Sequence, residues 1–114
     1  DRTFRALAIG LIQTIRDGHP NTPLALVSPI CHPPNETTQS AAGMTLQLMR
    51  QRLAEACDVL RAHGDANLHY VDGLSVMGPD DVGLYIDGIH PNSEGYRFLA
   101  AGWAREVAPK LGLS

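Results

Sequence analysis

A carboxylate and an imidazole stand three residues apart in Asp87-Gly88-Ile89-His90-Pro91-Asn92. Within one turn, that spacing lets the Asp87 carboxylate accept a hydrogen bond from the Nδ1–H of His90. Nε2 is then left to take a proton from a hydroxyl, which is the acid–base half of a hydrolytic triad. Gly88 permits a tight backbone path, and Pro91, tolerated in a first helical turn, helps fix where His90 points. An isolated D-x-x-H is ordinary turn and cap chemistry. What gives this one weight is its company: a strand, a long loop, the run D-x-x-H-P-N-x-x-G-Y, and an amphipathic terminal helix.

The elements that must position the pair follow from periodicity. Phe4, Leu7, Ala8, Leu11, Ile12 and Ile15 recur on one helical face, predicting a helix over Thr3 to Asp17, closed by Gly18 and Pro20. Leu24 to Ser28 reads as a short strand, apolar throughout as when both faces are covered, and Pro29 ends it. Pro29 to Ala42 is a long loop, read either as a wall of an acyl or leaving-group pocket or as a plain surface connection. A second helix is expected over Gly43 to His63, with Leu46, Met49, Leu53, Ala56, Cys57 and Leu60 buried. Arg50, Gln51, Arg52, Glu55 and Asp58 are expected to face water. Leu68 to Asp72 is a second strand, and a last helix runs from Ser93 or Glu94 towards Lys110 with Leu99, Ala100, Trp103 and Val107 inward. Ser93 is expected to cap it.

The order α-β-α-β-α predicts a parallel sheet with crossover helices, an α/β fold in three layers. Two strands make little sheet for three apolar helix faces, so further strands are expected before Asp1, and another part of the protein or another chain is expected to complete the fold. The 114 residues then form the C-terminal part of one domain and should expose an unusual apolar surface when alone.

Composition excludes several classes. A net charge of −3 and the lack of a basic stripe argue against nucleic-acid binding. No apolar run is long enough to span a membrane. Aromatics are 5% of the chain, so the core must rest on aliphatic residues. Cys31 and Cys57 form no CxxC; Cys57 falls on a helical apolar face and Cys31 in the loop, where its thiol could be free. No Cys/His cluster suggests a metal, and no cofactor is called for. Compartment and oligomeric state stay open.

Ligands of open parallel sheets bind at the carboxyl ends of the strands. Ser28, Ile30 and His32 leave the first strand at that edge and are the candidate substrate-binding residues. Ser28 is either a pocket-floor residue or a nucleophile. His32 either contacts substrate or simply belongs to the loop; two prolines argue against a helical His32–Glu36 pair. His19 and His63 read as helix-end residues, and His69 can face either side of its strand.

The run Asp87-Gly88-Ile89-His90-Pro91-Asn92-Ser93-Glu94-Gly95-Tyr96 resembles the closing block of the SGNH hydrolases, also called the GDSL esterase/lipase family. Thr14 to Pro20, Pro23 to Ile30 and Asn67 to Gly73 are similar to the helix and strands that accompany it, so the resemblance covers essentially the whole chain. It implies a flavodoxin-like fold and the hydrolysis of small carboxylic esters, with His90 as general base and Asp87 as its orienting partner. It also implies a nucleophilic serine in a G-D-S block, and an oxyanion glycine and asparagine, all preceding Asp1. Asp72-Gly73-Leu74-Ser75 is a poor match to that block, with Leu where the motif has Asp. An acyltransferase on the same triad, or a non-catalytic interaction module on the same scaffold, is the alternative.

Overall fold

The computed structural model describes residues 2–40, 43–84 and 92–113. Helix α1 (Arg2–Gly18) leads to strand β1 (Leu24–Val27), helix α2 (Leu46–Ala62) and strand β2 (Leu68–Val71). The one-turn helix α3 (Gly73–Val76) and helix α4 (Ser93–Glu106) follow. Tight 3-10 turns occupy Pro33–Asn35, Pro79–Leu84 and Ala108–Leu111.

β1 and β2 pair in parallel, from Leu24 opposite Leu68 to Val27 opposite Val71. Parallel neighbours need a crossover, and α2 supplies it. Side chains alternate along the strands. Leu24, Leu26, Leu68 and Tyr70 meet Ile12 of α1 with Cys57 and Leu60 of α2 on one face. Ala25, Val27 and Val71 meet Val76, Leu99, Val107 and Leu111 on the other. The fold is therefore α/β with helices on both faces of a parallel sheet, as the element order predicts.

Several details differ from the sequence expectation. Of the broad α1 stripe only Ile12 is fully buried; Leu7 is 66% and Leu11 61% exposed. They line, with Phe4, Ala8 and Leu53, an apolar groove of about 270 Å³. α2 begins at Leu46 rather than Gly43, because Thr45 caps it by accepting from Leu48 N at 3.1 Å. Arg50, expected in water, is only 6% exposed.

In α4 the inward face is Gly95, Leu99, Gly102 and Val107, while Trp103 is 43% exposed and Ala100 lies outside. Gly102 explains the rotation: a Cβ there would stand 2.8 Å from the Val76 carbonyl oxygen, so only glycine lets α4 approach α3 this closely. Asn92, not Ser93, caps α4 by accepting from Gly95 N at 2.8 Å. The helix stops at Glu106, and Pro109, which lacks an N–H, sits at the start of a new 3-10 turn.

Candidate functional site

Asp87 and His90 lie outside the described residues. The described chain on either side of them is firmly anchored. Before them, Asp81 accepts from Gly78 N at 2.8 Å inside the Pro79–Leu84 turn. After them, the Asn92 cap opens α4.

The carboxyl edge of the sheet, where β1 and β2 end at Val27 and Val71, is built in detail. The exit from β1 has no regular structure, yet its backbone groups are satisfied one after another, as buried chain requires. Ser28 N donates to Val71 O at 3.0 Å, and Cys31 N donates to Met77 O at 2.9 Å. The Pro29 carbonyl accepts from Arg50 Nε at 2.8 Å, and the Ile30 carbonyl from Arg50 Nη2 at 3.0 Å. His32 N donates to Glu36 Oε2 at 2.9 Å.

Arg50 reaches this loop from the middle of α2. Its guanidinium also makes a two-pronged pair with Glu36, Nη1 to Oε1 and Nη2 to Oε2, the latter at 2.9 Å. Glu36 Oε2 thus serves both Arg50 and the His32 amide. The Arg50 hydrogen bonds hold the Glu36 carboxyl below the usual carboxylate range, against the opposing effect of burial. The Pro33–Asn35 turn that brings Glu36 back is 3-10, so two prolines do not prevent the His32–Glu36 contact.

Each candidate of the edge has a definite place. Ser28 is 2% exposed, and its Oγ accepts from Gly73 N and from Tyr70 Oη, each at 2.9 Å. Burial pushes the Tyr70 hydroxyl pKa up, with the Ser28 hydrogen bond opposing it. Ile30 packs its side chain against the Val71, Val76 and Val107 cluster. Cys31 lies in the loop, as expected, and is buried there at 2% exposure. Burial, and then the Glu36 charge, raise its thiol pKa. His32 Nε2 is buried and has no hydrogen-bond partner.

Ser75, Ser93, His63 and His69 have local places. Ser75 Oγ donates to the Asp72 carbonyl at 2.6 Å within the turn that Asp72 caps. Ser93 is the exposed first residue of α4. His63 Nδ1 lies 2.8 Å from the Val59 carbonyl at the end of α2. His69 lines a shallow cleft of about 270 Å³ with Cys57, Asp58, Arg61, Tyr70 and Lys110. Among the described residues no group of His, Cys, Asp and Glu is arranged to hold a metal ion.

A cleft of about 570 Å³ lies at the opposite edge of the sheet, around Arg16, Pro20, Asn21 and Gly64 to Asn67. Arg16 is committed there to framework bonds. It pairs with both oxygens of Asp65 at 2.9 and 3.0 Å and donates to the carbonyls of His19, Thr22 and Asn67. Ligands of such sheets bind at the carboxyl edge, so volume alone does not mark the site.

The sequence does not single out Arg50 and Tyr70 as site residues, and it offers Glu36 only as a helical partner of His32 that two prolines argue against. The readable signal was phase: Leu46, Arg50, Leu53 and Cys57 follow the four-three-four spacing of an inward stripe, which puts Arg50 among them.

Comparison with known proteins adds three findings. The family model described as GDSL-like Lipase/Acylhydrolase matches residues 3–103. Among solved structures, the chain is similar to "Salicylyl-Acyltransferase SsfX3 from a Tetracycline Biosynthetic Pathway", with a TM-score of 0.82 and 35% sequence identity. That likeness covers 93% of this chain and 32% of the other, so the chain spans about a third of that structure's length. A comparison with curated protein sequences gives no match.

Proposed function

The chain belongs to the GDSL-like lipase/acylhydrolase family, and from that premise we propose that it supplies the acid–base pair of an ester-cleaving acyl-transfer site. In the reading we advance, His90 takes the proton of a serine hydroxyl as that oxygen attacks the carbonyl carbon of a small-molecule carboxylic ester. The tetrahedral intermediate collapses, the C–O bond to the alcohol breaks, and His90 returns the proton to the departing alcohol. Water, deprotonated by His90 in turn, then attacks the acyl-enzyme carbonyl. The C–O bond to the serine oxygen breaks, and His90 returns the proton to that oxygen as the acid leaves. Asp87 holds the His90 tautomer and stabilises the imidazolium. The loop through Ser28, Ile30 and His32 walls the substrate pocket. No cofactor enters the scheme.

No serine described in this chain is offered as the nucleophile: Ser28, Ser40 and Ser75 are engaged in local hydrogen bonds, and Ser93 opens α4. The nucleophile and the oxyanion donors are assigned to the rest of the intact protein, and the 114 residues by themselves are inactive in this scheme. The observation that carries the reading is the family match over residues 3–103, within which Asp87 and His90 stand in D-x-x-H-P-N-x-x-G-Y.

The test treats the intact protein and the isolated chain with a fluorophosphonate probe and with p-nitrophenyl esters. Labelling and turnover by the intact protein, lost in His90→Ala, with neither seen for the isolated chain, is the expected result. Labelling of one serine in the isolated 114 residues would overturn the assignment of the nucleophile.

A second reading is favoured by the matched structure, whose title names an acyltransferase, at 35% identity. The acyl group then passes to an alcohol in place of water on the same triad. Supplying an alcohol acceptor and measuring the ratio of new ester to free acid separates the two.

A further inference from the structure

We propose that the outer edge of β1 receives one more parallel strand, the strand that precedes α1 in the intact protein, and that Leu7 and Leu11 of α1 cover it. Pairing at that edge is independent of the chemistry of Asp87 and His90, so its test and that of the proposed function are separate.

The two strands have unlike outer edges. In a parallel ladder the N–H and C=O of one residue point to the same side. Leu24 N donates to Asn67 O at 2.9 Å, and Ser28 N donates to Val71 O at 3.0 Å. Leu24, Leu26 and Ser28 therefore serve β2, and Ala25 and Val27 turn their backbone groups away from it. On β2 the groups turned outward belong to Leu68 and Tyr70. That edge is guarded. Arg61 donates from its guanidinium to the Leu68 carbonyl, and Asp58, His69 and Lys110 line the same cleft. Charged side chains at an edge discourage further strands. β1 lacks such a guard: Leu24–Val27 carries neither charge nor proline, and β2 is its one strand neighbour among the described residues. Apolar clusters flank β1 on both faces, yet none of its four residues is fully buried, whereas Leu68 and Val71 of β2 are. An unguarded apolar edge is a template for strand addition.

α1 indicates which strand fits. α1 and α2 lie on the same face of the sheet, over Leu24, Leu26, Leu68 and Tyr70. α2 carries the chain from β1 to β2. Parallel crossovers share one hand, the right, so a strand led into β1 through α1 stands on the side of β1 away from β2. A helix bridging two strands covers both. α1 fully buries Ile12 against β1 and β2, while Leu7 and Leu11 stay largely exposed in the groove with Phe4, Ala8 and Leu53. They are the apolar surface left for the second strand. The similar acyltransferase structure matches this chain over only 32% of its own length, so a protein of that size has ample chain to supply the strand.

The experiment measures amide hydrogen exchange, residue by residue, in the intact protein at two protein concentrations. Leu26, bonded to β2, is the internal standard for a paired amide. Ala25 and Val27 are expected to match it at both concentrations, exchanging at least about 100-fold more slowly than an unstructured amide. Replacing Leu7 and Leu11 together by Gln is expected to speed Ala25 and Val27 roughly tenfold and to leave Leu26 slower than either. If that double variant does not fold, Leu11→Gln alone takes its place. Ala25 and Val27 exchanging far faster than Leu26 in the wild type overturns the proposal. Protection that grows with protein concentration also overturns it, because a second copy then covers the edge. Protection unmoved by the leucine replacements overturns the role of α1. Failure of the intact protein to label with fluorophosphonate overturns the proposed function alone.

Discussion

The carbonyl oxygen of Ser28 occupies the space where Gly73 would carry a side chain. A Cβ on Gly73 would stand 2.1 Å from Ser28 O and 2.3 Å from Pro29 O. The end of β1 and the start of α3 are therefore in backbone contact, and Gly73 N uses that contact to donate to Ser28 Oγ. Both obstructing atoms are main chain and cannot swing away. Gly73→Ala should cost about 3 kcal/mol or more, the upper range for overpacking, seen as a lower urea midpoint.

Ser28 Oγ is the shared acceptor for Gly73 N and Tyr70 Oη. Ser28→Ala leaves a buried N–H without its partner, for a loss of about 1–3 kcal/mol. Tyr70→Phe keeps the Ser28–Gly73 bond and should cost less, about 1 kcal/mol. The double variant should fall short of the sum, since the two share one hydrogen bond. Chemical denaturation of the four proteins checks the ordering. A fluorophosphonate adduct on Ser28 would instead mean that this hydroxyl leaves its partners.

The layers were legible because they follow periodicity. Ile12, Leu24, Leu26, Cys57 and Leu68 all lie where apolar spacing puts them, and the parallel pairing follows from the helix between the strands. Trp103, expected inward with Leu99, Ala100 and Val107, is 43% exposed because Gly102 sets which face of α4 comes close. Arg50 was misread because charge outweighed phase. A buried arginine becomes intelligible only with its partner, and Glu36 lies in a loop whose return path periodicity does not encode. The Asp87–His90 block was legible as a motif; its geometry lies outside the described residues.

Glu36 makes stability depend on acidity. Its folded pKa is lowered, first by the Arg50 hydrogen bonds. The stabilisation is therefore fully present above the unfolded value, about 4.3 for a glutamate, and is lost as pH falls through the lower folded value. Melting temperatures of the wild type should drop below about pH 4.3 more steeply than those of Glu36→Gln. At pH 7 the variant should be the less stable of the two, because Arg50 loses a charged partner inside the fold.

Cys57 gives the opposite limb. It is completely buried, and burial pushes its thiol pKa up from the ordinary 9.0 to about 11. Because the folded value is the higher, stability is unaffected below the unfolded pKa and declines as pH rises towards the folded one. Wild type should lose stability between about pH 9 and 11, and Cys57→Ala should lose less over that interval. In native protein at pH 8, a thiol reagent should modify Cys57 only after denaturant is added.

The division of labour between Asp87 and His90 can be read from kinetics of the intact protein. Proton transfer passes through His90 in every step of the proposed scheme, whereas Asp87 acts only through His90. His90→Ala should lower kcat on p-nitrophenyl esters on the order of 10³–10⁴-fold, with KM little changed, since the lost interaction belongs to the transition state. Asp87→Asn keeps the shape but offers an amide where a carboxylate held the imidazolium, and should lower kcat by no more than His90→Ala. Combining the two should add little, because residues acting as one unit are not additive. Full additivity would mean that Asp87 acts elsewhere than on His90. A wild-type rate in His90→Ala would remove the pair from the mechanism.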